Sequence, residues 1–169
     1  AAGLAAAAVH IRAMLGVLRA RMRQRLNTGF LLIRGGWAGL ILSLLAGLAL
    51  TLGYDVGNLP AAFVALAVLG WLLPTALGVL QRIAPFLAAI HATRPGRRMP
   101  LVSALAPERP LQIHAALHGA AVLLLVGGFL TGFEPAARLG AALGAVGAFC
   151  LIFFAATLYR RVRAHLGEV

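Results

Sequence analysis

The chain has 169 residues, of which 62% are hydrophobic and 11% are charged. Soluble domains carry about 45–50% apolar and roughly 25% charged residues, and a domain of this size has too little interior to bury the excess. The composition therefore excludes a soluble globular domain. It predicts an all-α integral membrane protein, because in lipid a helix satisfies its own backbone.

The charge is strongly one-sided. The formal net charge of +11 comes from fifteen arginines, with no lysine, against four acidic residues. Because the arginines lie between apolar segments, they indicate binding to anionic lipid headgroups and argue against a nucleic-acid partner. The lysine-free, arginine-rich residue usage also predicts a GC-rich bacterial genome.

Residues 1–27 form the first predicted element. Apolar residues recur there at helical spacing, and arginines occupy another face, including Arg12, Arg19 and Arg23. This pattern predicts an amphipathic helix lying on the cytoplasmic surface of the membrane. An alternative is that residues 4–9 end an earlier transmembrane helix, since the sequence begins without methionine and could belong to a longer protein.

Residues 28–169 form the second predicted unit, a four-helix transmembrane bundle. Apolar stretches at about 30–53, 60–80, 111–132 and 139–159 are each long enough to cross a bilayer, which takes about 20 helical residues. The second stretch is predicted to continue as a helix to His91, with a kink at Pro85.

The arginines predict the orientation of the bundle. With four spans, all of them except Arg82 and Arg138 lie on one side, which places both termini in the cytoplasm of a bacterial inner membrane. Arg82 lies at the predicted lipid boundary, and we expect it to snorkel to the headgroups or to form a structural ion pair. Six arginines are predicted to contact headgroups: Arg19, Arg23, Arg97, Arg98, Arg160 and Arg161.

Small residues recur every four positions in three of the spans. Such rows let helix backbones approach closely, which stabilises helix contacts in lipid. The second span carries one row at Gly70, Pro74 and Gly78. The first and fourth spans supply the other predicted packing residues, Gly35, Gly39, Ser43, Gly47, Gly140, Gly144 and Ala148. The rows do not indicate whether the partner helix belongs to this chain or to another subunit.

Three histidines are the candidate cofactor ligands. His114 and His118 lie four residues apart on one helix face, and His91 is predicted at a depth similar to that of His114. Two imidazoles at matched depth are typical of a b-type haem site and are also suitable for copper. The alternative is interfacial histidines that bind loop carbonyls or headgroups without a cofactor. No catalytic residue is predicted, because no span carries Asp or Glu and no hydrolase or nucleotide motif occurs.

One segment resembles a known group of proteins. Residues 78–91, Gly-Val-Leu-Gln-Arg-Ile-Ala-Pro-Phe-Leu-Ala-Ala-Ile-His, are followed by a basic loop with Met99 and Pro100. The segment is similar to uncharacterised bacterial polytopic membrane proteins described as similar to haem–copper oxidase subunit I. The resemblance implies the C-terminal part of a larger respiratory-type protein. The oxidase patterns His-His and His-x-x-x-Tyr do not occur in this sequence, so the resemblance does not imply a haem–copper centre.

These observations together predict a membrane subunit or domain without chemistry of its own. It would pack through its small-residue rows against partner helices of a larger, respiratory-type, energy-converting complex. The alternative is a haem- or metal-binding redox protein that uses His91, His114 and His118. A small-molecule transporter is disfavoured because the centres of the spans are almost purely apolar.

Overall fold

The computed structural model describes residues 2–20, 28–93 and 99–167. Within these ranges the chain is helical and contains no strand. Its helices are α1 (Ala2–Arg19), α2 (Thr28–Thr51), α3 (Leu59–His91), α4 (Val102–Leu105), α5 (Glu108–Thr131) and α6 (Glu134–Leu166). Four of them, α2, α3, α5 and α6, are long and apolar enough to cross a membrane. The predicted all-α fold with four candidate spans is confirmed.

The four long helices form two antiparallel hairpins. In the first, α2 and α3 approach so closely that Gly39 lies against the backbone of Gly70; in the second, Gly140 of α6 lies against Ala121 of α5. Helices α3 and α5 then join the two hairpins, with further contacts between α2 and α5 and between residues 73–91 of α3 and α6. We call the end where α2 and α5 begin the arginine-rich end, and the other the opposite end.

The turn between α2 and α3 ties the hairpins together at the opposite end. The backbone N–H of Asn58 donates to the carbonyl oxygen of Phe129 in α5 at 2.8 Å, and its side chain caps α3 by accepting from the N–H of Ala61. Gly57 has a φ of +50° and lies against the Leu130 carbonyl, where a side chain would not fit.

The N-terminal segment is a short apolar helix. It lies beside α2, with Gly3 next to Leu44. Its predicted position in the membrane surface and the alternative as the end of an earlier span both stay predictions. Helix α3 reaches His91, as the sequence indicated.

The small residues that are buried match the predicted four-residue row in α3, but in α2 and α6 they follow a different spacing. In α3, Gly70, Pro74 and Gly78 are all buried. In α2 the buried small residues are Gly29, Gly36, Gly39 and Ser43, whereas Gly35 faces open space. In α6 they are Gly140 and Gly147, whereas Ala148 is exposed. Gly47 packs on the Phe63 ring and Gly144 on Ala121, as expected for packing residues.

Helical geometry explains the shift. Four residues turn a helix by about 400°, so a strict four-residue row drifts by about 40° at each step and leaves the contact within a few turns. Alternating steps of three and four keep a contact in line between helices with a small left-handed crossing. The observed spacing in α2 follows this second pattern.

A pair of glycine substitutions in α2 tests this contact. A Cβ on residue 39 would overlap the Gly70 carbonyl, whereas a Cβ on residue 35 meets nothing within 4 Å. We expect Gly39→Ala to lower the free energy of unfolding by about 1–3 kcal/mol through overpacking, and Gly35→Ala to leave it unchanged or raise it slightly. Unfolding in mixed detergent micelles measures both. Equal effects of the two substitutions would contradict this register.

Candidate functional site

The middle of α3 contains a π-helical segment, Leu66–Leu72, that ends two residues before Pro74. In a π-helix each carbonyl accepts from the N–H five residues later. At the end of the segment the N–H of Leu73 accordingly donates to the Val68 carbonyl. The next carbonyl, that of Leu69, would need the N–H of residue 74, but residue 74 is proline and has none.

His118 of α5 supplies the missing donor. Its Nε2 lies 2.9 Å from the Leu69 carbonyl oxygen. Because a carbonyl can only accept, Nε2 carries the proton, and in the neutral ring Nδ1 carries the lone pair. The histidine thus satisfies a backbone group of α3 that would otherwise be unpaired in an apolar surrounding, and it links the two hairpins.

His114 makes a second link, from α5 to α6. Its Nδ1 lies 2.9 Å from the Gly147 carbonyl oxygen, and the side chain is buried. By the same reasoning Nδ1 donates, so the lone pair of the neutral ring lies on Nε2. That nitrogen is buried and has no partner among the described residues. The two rings are one helical turn apart, with their centroids at 5.7 Å.

His91 does not join this pair. His118 bonds to Leu69, and His91 lies roughly 30 Å farther along α3 at 1.5 Å per residue. The expectation of matched depth for His91 and His114 is therefore wrong, because α3 continues far beyond the point where α5 crosses it. His91 is exposed beside α6. In the described part of the chain no three His, Cys, Asp or Glu side chains come together as a metal-binding group.

The described arginines are exposed, and several of them make specific contacts, as Arg138 does in its ion pair with Glu134. The guanidinium of Arg82 stacks 4.2 Å from the ring centroid of Phe30, at the start of α2. Arg161 donates to the carbonyl oxygen of Ala104 at 2.8 Å and so holds the short helix α4 against α6. Arg19 and Arg160 are exposed. Of the arginines predicted to contact headgroups, Arg23, Arg97 and Arg98 lie outside the described residues.

A groove between α3 and α6 is a feature that the sequence did not predict. It has a volume of about 920 Å³ and runs along the last three turns of α3 toward the arginine-rich end. Buried Phe154 and Leu158 form its floor, and exposed Leu87, Ile152 and Tyr159 form its rims. The remaining lining residues are Leu80, Gln81, Ala84, Ala88, Ile90, His91, Leu151, Ala155 and Val162.

Gln81 is the polar residue at the deep end of this groove. Its side chain is only 5% exposed, and neither its amide nitrogen nor its amide oxygen has a hydrogen-bond partner among the described residues. The residue four positions later, Pro85, cannot donate to the backbone carbonyl of Gln81. Gln81 was visible in the sequence as a polar residue in an apolar run, but its lack of a partner depends on helix packing.

A haem does not fit the histidine pair in this packing. An axial imidazole must present a free nitrogen to an open slot, whereas Nε2 of His118 donates to Leu69 and Nε2 of His114 is enclosed. The groove between α3 and α6 includes neither residue. A bare metal ion would find at most two imidazole nitrogens here, His114 Nε2 and His118 Nδ1.

Comparison with protein-family models finds no match, and comparisons with curated proteins and with solved structures likewise find none. The resemblance of residues 78–91 to respiratory-type membrane proteins therefore remains a prediction.

A double substitution tests the link between Pro74 and His118. Replacing His118 with Leu leaves the Leu69 carbonyl unpaired, and we expect a loss of about 1–3 kcal/mol in the free energy of unfolding. Replacing Pro74 with Ala restores a backbone N–H at the end of the π-segment, so the same His118→Leu change should then cost much less. Unfolding of the four proteins in a double-mutant cycle measures the coupling. Simple additivity of the two changes would show that His118 does not compensate for Pro74.

Proposed function

We propose that this chain is a multi-pass inner-membrane subunit or domain that packs into a larger, energy-converting protein complex and has no chemistry of its own. The observation that carries the proposal is what the rings of buried His114 and half-buried His118 bind. Both donate to backbone carbonyls of neighbouring helices, Leu69 and Gly147, which is a structural task. Reactive sites instead need a free, accessible group within a concave pocket where a few polar groups converge.

A membrane location is supported by the outward-facing side chains. Large apolar residues cover the surface, such as Leu123 at 75% and Phe149 at 70% exposure. The arrangement of arginines supports cytoplasmic termini, because α2 and α5 begin and α3 and α6 end at the same side of the bundle. The bacterial source rests on residue usage, and the energy-converting role rests on the resemblance of residues 78–91.

Partner subunits are supported by the unfilled groove. An unpaired polar group is costly in an apolar surrounding, so a membrane protein that acts alone would pair its buried amides internally. Here the enclosed amide of Gln81 has no partner among the described residues, and Gln81 lines a groove that is open on its outer side. Anionic lipid headgroups are further proposed partners of the exposed arginines Arg19 and Arg160.

The size of the native assembly tests this function. We expect the tagged chain, extracted from its own membranes in mild detergent, to elute with a protein mass well above that of a single chain. The control is the same chain produced alone in a foreign host, which should elute as a small species. A monomer from both sources would contradict the proposed function.

A second candidate function is metal binding at His114 and His118. One observation favours it: Nε2 of His114 is buried without a partner, and each ring's other nitrogen is held by a backbone carbonyl, as is usual for metal-binding histidines. Copper is the preferred candidate among metals that accept imidazole.

Elemental analysis and the variant His114→Leu separate the two functions. For a purely structural pair we expect no stoichiometric metal, no haem bands in a reduced-minus-oxidised spectrum, and a loss of about 0.6–2 kcal/mol in the free energy of unfolding of His114→Leu, the value of one hydrogen bond between helices. The loss stays at this size because the Gly147 carbonyl keeps its helical partner within α6. About one copper per chain that disappears in His114→Leu would instead establish the metal site.

A further inference from the structure

The groove between α3 and α6 has three properties that restrict what can occupy it. It is apolar along its length, Gln81 with its enclosed and unpaired amide lines its deep end, and it opens toward the arginine-rich end. There Arg163 stacks over Tyr159 at 5.8 Å, and His91 lines the other side. None of the described acidic residues lines the groove.

We propose that this groove seats a transmembrane helix of a partner protein. The helix presents an acidic side chain to the arginine-rich end and an amide or hydroxyl side chain to Gln81, whose enclosed amide rotates about its side-chain bonds to meet it. This inference rests on the proposed function, because it assigns the surface through which the chain packs into its complex. The two recognition points lie roughly 15 Å apart, since the groove follows three turns of α3. On the partner helix they would be separated by about ten residues.

The shape of the groove suits a helix. Small residues, Ala84, Ala88 and Ala155, lie between larger rim residues. Small residues let a helix backbone approach closely, and polar side chains at such contacts form hydrogen bonds between helices. A helix placed here also covers Leu87 and Ile90, which are 55% and 49% exposed.

Two other occupants satisfy the groove less well. A lipid acyl chain matches the apolar walls but offers no hydrogen bond to Gln81, so the amide would remain unpaired. A second copy of this chain can supply a glutamine amide, but it would also bring the arginine-rich ends of two α6 helices together. Each copy contributes Arg160, Arg161 and Arg163 there, and like charges oppose this contact.

Site-specific photo-crosslinking of the full chain in its native membranes tests the proposal. A benzophenone amino acid replaces Leu87, which lines the groove, or Ile83, which lies one turn earlier on α3, is 47% exposed and does not line it. After irradiation, the crosslinked peptides are sequenced by mass spectrometry. We expect position 87 to capture one partner peptide that is an apolar span with an Asn, Gln, Ser or Thr, and with an Asp or Glu about ten residues away. Position 83 should capture only lipid.

The variant Gln81→Leu provides the second measurement. Because Gln81 has no partner within the described chain, this change should not destabilise the isolated protein, which unfolding in detergent checks. It should lower the crosslinking yield at position 87 by roughly threefold to tenfold, the factor for one hydrogen bond between helices. Ala155→Trp, which fills the groove without touching the amide, should lower the yield as well.

Several outcomes would overturn the proposal. They are lipid adducts alone at position 87, a crosslink to a second copy of this chain, a captured span without a polar residue, or a yield that Gln81→Leu leaves unchanged. If the chain still elutes in a large native assembly while position 87 captures only lipid, the proposed function stands and the groove is not its partner site. If the native chain is a monomer, both fail.

Discussion

The architecture depends on a single backbone oxygen, the carbonyl of Leu69. In a hydrocarbon surrounding every backbone group needs a partner, and water is not there to provide one. Pro74 removes the donor that the π-segment would have used, and His118 replaces it from the neighbouring hairpin. This hydrogen bond between α3 and α5 therefore also satisfies the backbone group that the π-segment of α3 leaves without a partner.

The bundle differs from a soluble protein in where its small residues lie. Glycine lies where two helices approach most closely, as where Gly39 meets Gly70, and many large side chains, such as Leu123 and Phe149, point outward although others, such as Phe154, are buried. Lipid solvates leucine as well as a protein core does, so burying leucine gains little. Close backbone approach and hydrogen bonds between helices gain more. The hydrogen bonds of His114 and His118 and the glycine contacts are therefore complementary parts of one packing scheme.

The sequence predicts the helices well because their causes are local. Apolar length and composition define four spans, and the helical run to His91 can be read directly. The register of the contacts could not be read in this way. Gly36 and Gly147, and not Gly35 and Ala148, face the neighbouring helices, because the contact face depends on the crossing of two helices. The prediction that His91 and His114 lie at the same depth was wrong for a related reason. Counting residues outward from the connecting loop ignores how far α3 extends beyond the point where it meets α5. The partnerless amide of Gln81 is a property of three-dimensional packing and has no sequence signal of its own.

The π-segment also determines which side of α3 each later residue of the helix faces. A strict four-residue row from Leu66 to Gly78 would turn away by about 120° in a regular α-helix. The wider turn absorbs this drift, so Gly70, Pro74 and Gly78 stay on one side, and Gln81 and Ala89 remain buried beyond them. A π-helical turn contains one residue more than the α-helical turn that it replaces, as if one residue had been inserted into a regular helix. In evolutionary terms, relatives with a regular helix here are expected to align with a single-residue gap within positions 66–72, and to lack both the proline at 74 and the histidine at 118.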